Sequence, residues 1–135
     1  MMNEEMLEEE KAFNEPIKAV RKKVYRGHRF SDGSVLVTWS EGADGIRKIL
    51  PYRLDLQNHS PDGFNWGYDG SGPSQLALAM IADCRGDKEG LLWHTDFRRA
   101  FIAPIKGDSW EITEVQIQEW VVNRIWGQYA EGIGR

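Results

Sequence analysis

A chain of 135 residues, 41% hydrophobic and 28% charged, reads as one globular domain long enough to bury a core without staples. Its net charge of −4 disfavours nonspecific nucleic-acid binding, which needs a basic footprint. The single cysteine, Cys84, excludes an internal disulfide; no apolar run reaches the ~18–20 residues that span a bilayer, and the acidic N-terminus is no secretory signal, so the expected setting is cytoplasmic and away from membranes.

The chain opens on a charged arm, residues 1–21, expected to be helical or disordered. Residues 1–15 hold six acids and one base, whereas residues 16–30 hold six bases and no acid. Such blocks usually mark solvated segments, with a patch for an acidic partner as the sharper alternative. The rest, residues 22–135, is expected to be a single α+β domain.

"KKVYRGHRF", "SDGS" and "VLVTWS" read as a hairpin turning at Asp32-Gly33. After the turn "EGADG", the run "IRKILPY" reads as a third strand of a small antiparallel sheet. A loop of about 20 residues follows, a length that in compact domains is uncommon and often functional.

"PSQLALAMIAD" is the next element, a helix with Pro73 at its first position and apolar residues on nearly every side, hence central. Gly86 suits its C-terminal cap, and Asp87 caps a second helix whose core face is Leu91, Trp93, Phe97, Ala100 and Phe101. His94 is expected at that helix's surface or boundary. Thr113 and Gln116 form a capping box for a third helix running to about Trp126, with Ile117, Trp120, Val121 and Ile125 inward and a frayed tail beyond. The fold class is therefore α+β: a three-stranded antiparallel sheet, a long loop, and three helices packed on one face.

The long loop, "NHSPDGFNWGYDGSGPSQ", concentrates the candidate chemistry. At the helix start, the first-turn N–H groups have no intrahelical acceptor. Gly70 and Gly72 permit close approach of backbone, and Ser71, Ser74 and Gln75 add polar groups, an arrangement that suits an anion. The plainer reading is a helix capped by its own serine. No nucleotide-binding fingerprint is present.

Phe64, Trp66 and Tyr68 fall at period two, so an extended segment puts the rings on one face, able to stack on a planar ligand or to pack on a core. His59 beside Asp62 or Asp69 has the residue types of a general base with an orienting partner, although "HSPDG" is also ordinary turn chemistry. Arg53 either pairs with Asp55 or reaches an anion at the helix start. His28, His59, His94 and Cys84 do not have zinc spacing, and no metal or other cofactor is expected.

"YRGHRFSDGSVLVTW", "LPYRLDLQNHSPDGFNWGYDGSGPSQLALAMIADCRGD" and "DFRRAFIAPI" together resemble an uncharacterised family of short proteins from bacteria, phages and mobile elements, over about Tyr25 to Trp120. The resemblance implies a phage or mobile-element context and carries no activity or catalytic residue. The leading functional expectation is thus a non-enzymatic binding protein. It holds an anionic or nucleotide-like ligand at Gly70–Gln75, with Arg53, His59, Phe64, Trp66 and Tyr68 contributing. A module that binds a host protein is the alternative, motivated by six tryptophans and the charged arm. A hydrolase using His59 with Asp62 or Asp69 is the third.

Overall fold

A computed structural model of the chain describes residues 23–133, with side chains as far as Gln128. The charged arm, residues 1–21, lies outside the described residues. Strands β1 (Lys23–Arg29), β2 (Val35–Glu41), β3 (Lys48–Ile49) and β4 (Ser109–Thr113) form one antiparallel sheet in the order β3-β2-β1-β4. Helices α1 (Ser71–Arg85), α2 (Asp87–Phe97) and α3 (Glu114–Ile133) complete the α+β fold, with a π-helical turn, Arg98–Ile102, closing α2.

The sheet has four strands among the described residues, not three. The added strand is β4, just before the last helix, which pairs with β1 from Val24↔Thr113 to His28↔Ser109. The third strand also shrinks to the two residues of β3. Its neighbours Ile46 and Arg47 face solvent, so no core face holds a longer ladder in register.

β1 alternates from Tyr25 to His28. Tyr25 points inward with Val37 and Ile112, while Arg26, His28, Leu36 and Glu111 lie on the opposite face. Gly27 is required on the inner side because the Trp110 indole lies across it. A Cβ there would fall 2.2 Å from Trp110 Nε1.

The core joins Tyr25, Val37, Phe64, Trp66 and the α1 side chains to Trp93, Phe97, Ile102, Ile117 and Val121. α1 is its axis: every residue from Gly72 to Ala82 is buried, as its all-round apolar sequence requires. α1 starts at Ser71 with Gly70 as its N-cap, so Pro73 is its third residue and not its first. α2 crosses close to α1, where a Cβ at Gly90 would lie 3.0 Å from Ala82 Cβ.

Several side chains depart from their expected faces. Leu91, Ala100 and Ile125 are exposed, and His94 is buried. The π turn adds a residue to the helical period and re-aims the chain after Phe97, which takes Ala100 outward and Ile102 inward. Asp87 is the first residue of α2, not its cap, and pairs with Arg53 at 3.0 Å.

The Thr113–Gln116 capping box forms in both directions: Thr113 N–H donates to Gln116 Oε1 at 2.9 Å and Gln116 N–H to Thr113 Oγ1 at 3.2 Å. α3 runs to Ile133, past the expected end near Trp126. Ile117 and Val121 are fully buried, and Trp120 packs against the core. No helix among the described residues is long and apolar enough to cross a membrane.

Candidate functional site

Residues 50–70 carry no regular element and deliver the chain from β3 to α1. They are held in place chiefly by one side chain. Gln75, fully buried in the second turn of α1, accepts hydrogen bonds from the His59 and Ser60 N–H groups at 2.8 and 3.2 Å and donates to the Tyr52 carbonyl at 2.7 Å. Its amide thus satisfies loop backbone that would otherwise be stranded against an apolar helix.

The aromatic row divides. Trp66 is 1% exposed and Phe64 5%. The Trp66 indole N–H donates to the Gly107 carbonyl at 3.1 Å, the Arg29 guanidinium lies over its ring, and Phe64 meets Tyr52 edge-on. Both rings belong to the core. Tyr68 alone is open, at 48%.

The Tyr68 ring lies against the first turn of α1. A Cβ at Gly70 would fall 2.7 Å from Tyr68 Cε2, and one at Gly72 would fall 2.8 Å from Asn65 Cβ and 3.2 Å from Tyr68 Oη. The space freed by these glycines is therefore occupied by the loop's own side chains. One side of the Tyr68 ring covers the helix start and the other faces outward beside the exposed Ser71.

Arg98, on the π turn, reaches the same place. Its Nη1 donates to Ser74 Oγ at 2.7 Å, and Ser74 Oγ in turn donates to the Gly70 carbonyl at 2.8 Å. Arg98 Nε lies 2.6 Å from Asp69 Oδ1 as an ion pair. A guanidinium and a carboxylate from outside α1 thus meet at its first turn.

His59 borders this cluster. Its Nε2 lies 2.9 Å from His94 Nε2, and His94 Nδ1 lies 2.9 Å from the Gly90 carbonyl. A carbonyl only accepts, so His94 holds its proton on Nδ1 and its Nε2 accepts from His59 Nε2–H. Burial first, then His94 and the Arg98 charge, pull the His59 pKa below the ordinary histidine range, and the ring is neutral at pH 7. The ring partner of His59 is a second histidine, while Asp69 is engaged by Arg98.

Of the ten residues singled out from sequence, the fold brings His59, Tyr68, Gly70, Ser71, Gly72, Ser74 and Gln75 to the start of α1. Phe64 and Trp66 go to the core. Arg53 turns to Asp55, at 3.0 and 3.1 Å, and to Asp87 at the start of α2. His94 and Arg98 were not singled out for the site. Their spacing carried a signal, because His94 lies three residues before the buried Phe97 and Arg98 one turn beyond His94, on the stripe that faces α1. Among the described residues no group of three or more His, Cys, Asp or Glu could hold a metal ion.

A family described as a family of unknown function (DUF6166) matches residues 25–123, which take in the sheet from Tyr25 onward, the loop and the start of α1. No curated protein and no solved structure matches the chain.

Proposed function

Because the chain belongs to DUF6166, a family of unknown function, its role has to be read from the site, and we propose that it is a non-enzymatic binding protein for an anionic, nucleotide-like ligand at the start of α1. In this reading the planar part of the ligand stacks on the outward side of Tyr68. Its anion approaches the first-turn N–H groups and the Ser71 hydroxyl. The Arg98 guanidinium, beneath Ser74, supplies the positive field, and the neutral His59 ring offers a hydrogen bond at the rim. A phage or mobile-element origin fits the sequence motif that carries the resemblance.

The observation that supports this reading is the pairing of one exposed ring with a helix start backed by the Arg98 guanidinium. A site for hydrolysis would want His59 against a carboxylate, and the ring is turned to His94 instead. The test is a thermal-shift panel of mono-, di- and cyclic dinucleotides at millimolar concentration. A ligand at about 100 times its Kd adds roughly 2.7 kcal/mol, and Tyr68→Ala is expected to keep the fold and abolish that gain. A panel without a single stabilising nucleotide would sink the proposal.

Binding of a host protein is the second reading, and one observation favours it. The sheet face turned away from the helices is open and partly apolar, with Leu36 41% and Ile49 70% exposed. The tryptophans add less than their number suggests, because Trp66 and Trp93 are buried and Trp39, Trp110 and Trp120 pack against the core.

A further inference from the structure

All three helices lie on one side of the sheet, and the other side forms a shallow groove of about 810 Å3 whose lining includes Arg26, Leu36, Arg47, Ile49 and Glu111. Two-layer folds normally leave such a face polar and alternating. Here Leu36, Ile49 and the neighbouring Ile46 at 82% present apolar surface to solvent, more than isolated surface residues would.

Charge on this face is ordered across the strands. Arg47, exposed beside β3, makes no hydrogen bond or ion pair among the described residues. Glu111 on β4, at the opposite edge, is 55% exposed and reaches Arg26 only at 3.8 Å. The central Arg26 is held within its own chain by Ser40 Oγ at 3.0 Å and the Ala43 carbonyl at 3.2 Å. The face thus runs from a free cation at one edge, over a partly apolar centre whose arginine is hydrogen-bonded within its own chain, to a weakly held anion at the other.

We propose that this face is a self-complementary interface on which a second copy of the chain docks, sheet against sheet. A two-fold axis parallel to the strands, passing between β1 and β2, sets the β3 edge of each copy over the β4 edge of the other. The four strands span about 14 Å at their ordinary spacing, so the Arg47 and Glu111 side chains can meet across the interface, twice by symmetry. Leu36 and Ile49 of both copies then cover one another between the two ion pairs, as facing sheets do in a sandwich. A face of uniform charge would repel its own copy; opposite charges at opposite edges attract it.

The test is sedimentation velocity on the full chain, up to about 0.1 mM, well above a micromolar Kd. The chain is expected to dimerise, and Arg47→Glu and Glu111→Arg each to weaken dimerisation by about tenfold through like-charge contact. The double variant R47E/E111R, which restores opposite charges in exchanged positions, is expected to recover most of the loss. Circular dichroism melts of each variant separate a lost interface from a lost fold. A chain that stays monomeric throughout overturns the proposal, as does a double variant no better than either single one. A monomer that dimerises only when residues 1–21 are removed also overturns it, and would assign the face to that segment.

Discussion

The two ends of α1 solve the same problem in opposite ways. At the C-terminal end, Tyr25 Oη donates to Asp83 at 2.6 Å and Lys23 pairs with the same oxygen at 3.1 Å. Arg85 is clamped by Glu89 and by Gln118, which also donates to the Cys84 carbonyl. Each of these polar groups has a partner from the sheet or from α2 or α3. At the N-terminal end, the partners come from one loop and one arginine, and a ring stands open. A helix buried along its length needs both ends anchored. The difference teaches that one anchor is closed by the sheet and two helices, and the other by a loop that leaves a ring exposed.

The largest effect that sharpens this contrast is expected at Gln75. Gln75→Leu keeps the volume but strands two loop N–H groups and one carbonyl, a loss of about 3 kcal/mol by ordinary costs for buried unpaired groups. Denaturant melts should show it, together with faster amide exchange confined to residues 52–60. A loss spread over α3 as well would mean that the two ends are not separable.

Tyr25→Phe at the closed end should cost about 1.5 kcal/mol, the scale of a hydrogen bond to a charged acceptor. It should leave loop exchange unchanged, because Lys23 still neutralises Asp83. In the unaltered chain the Tyr25 hydroxyl is held protonated by burial first and then by the nearby Cys84 and Asp83, so ultraviolet titration of the folded chain should show one tyrosinate fewer than titration of the unfolded chain.

The smallest effect is a matter of pH. Burial pushes the Glu114 carboxyl above its ordinary range, against the opposing hydrogen bond from Gln118. The folded state therefore holds this proton more tightly than the unfolded state. The stability that Glu114 contributes when protonated is lost as pH rises through the folded pKa. Glu114→Gln should raise the melting midpoint at pH 7, with the difference vanishing below about pH 4, where a free glutamate is itself protonated. An unchanged difference across that range would show that burial does not govern this end.

Local signals carried the α+β class, the hairpin at Asp32-Gly33, the all-buried α1 and the Thr113–Gln116 box. Each rests on residues a few positions apart. β4 was not legible, since "SWEIT" is short and its strand character comes from β1, whose partners lie more than 80 residues earlier. The site was half legible. Sequence marked the loop and the helix start, but period two could not tell that Phe64 and Trp66 turn to the core while Tyr68 does not. That division depends on Gly107, Arg29 and Tyr52, which approach only in the fold. His94 and Arg98 were hidden for the same reason, and the π turn that aims Arg98 breaks the periodicity by which helical faces are read.

The pairing of β1 with β4 also has a consequence in time. His28 and Ser109, which hydrogen-bond across that junction, are 81 positions apart, so β1 waits for the synthesis of β4 before its second edge is covered. Such non-local closure is slow for topological reasons. Until it happens, α1 has been made but lacks Ile112, Ile117 and Val121 as cover, and its apolar sides are turned to whatever is nearby. The length of time that the nascent chain spends with its central helix unsheltered is therefore at least the time taken to translate from α1 through Val121.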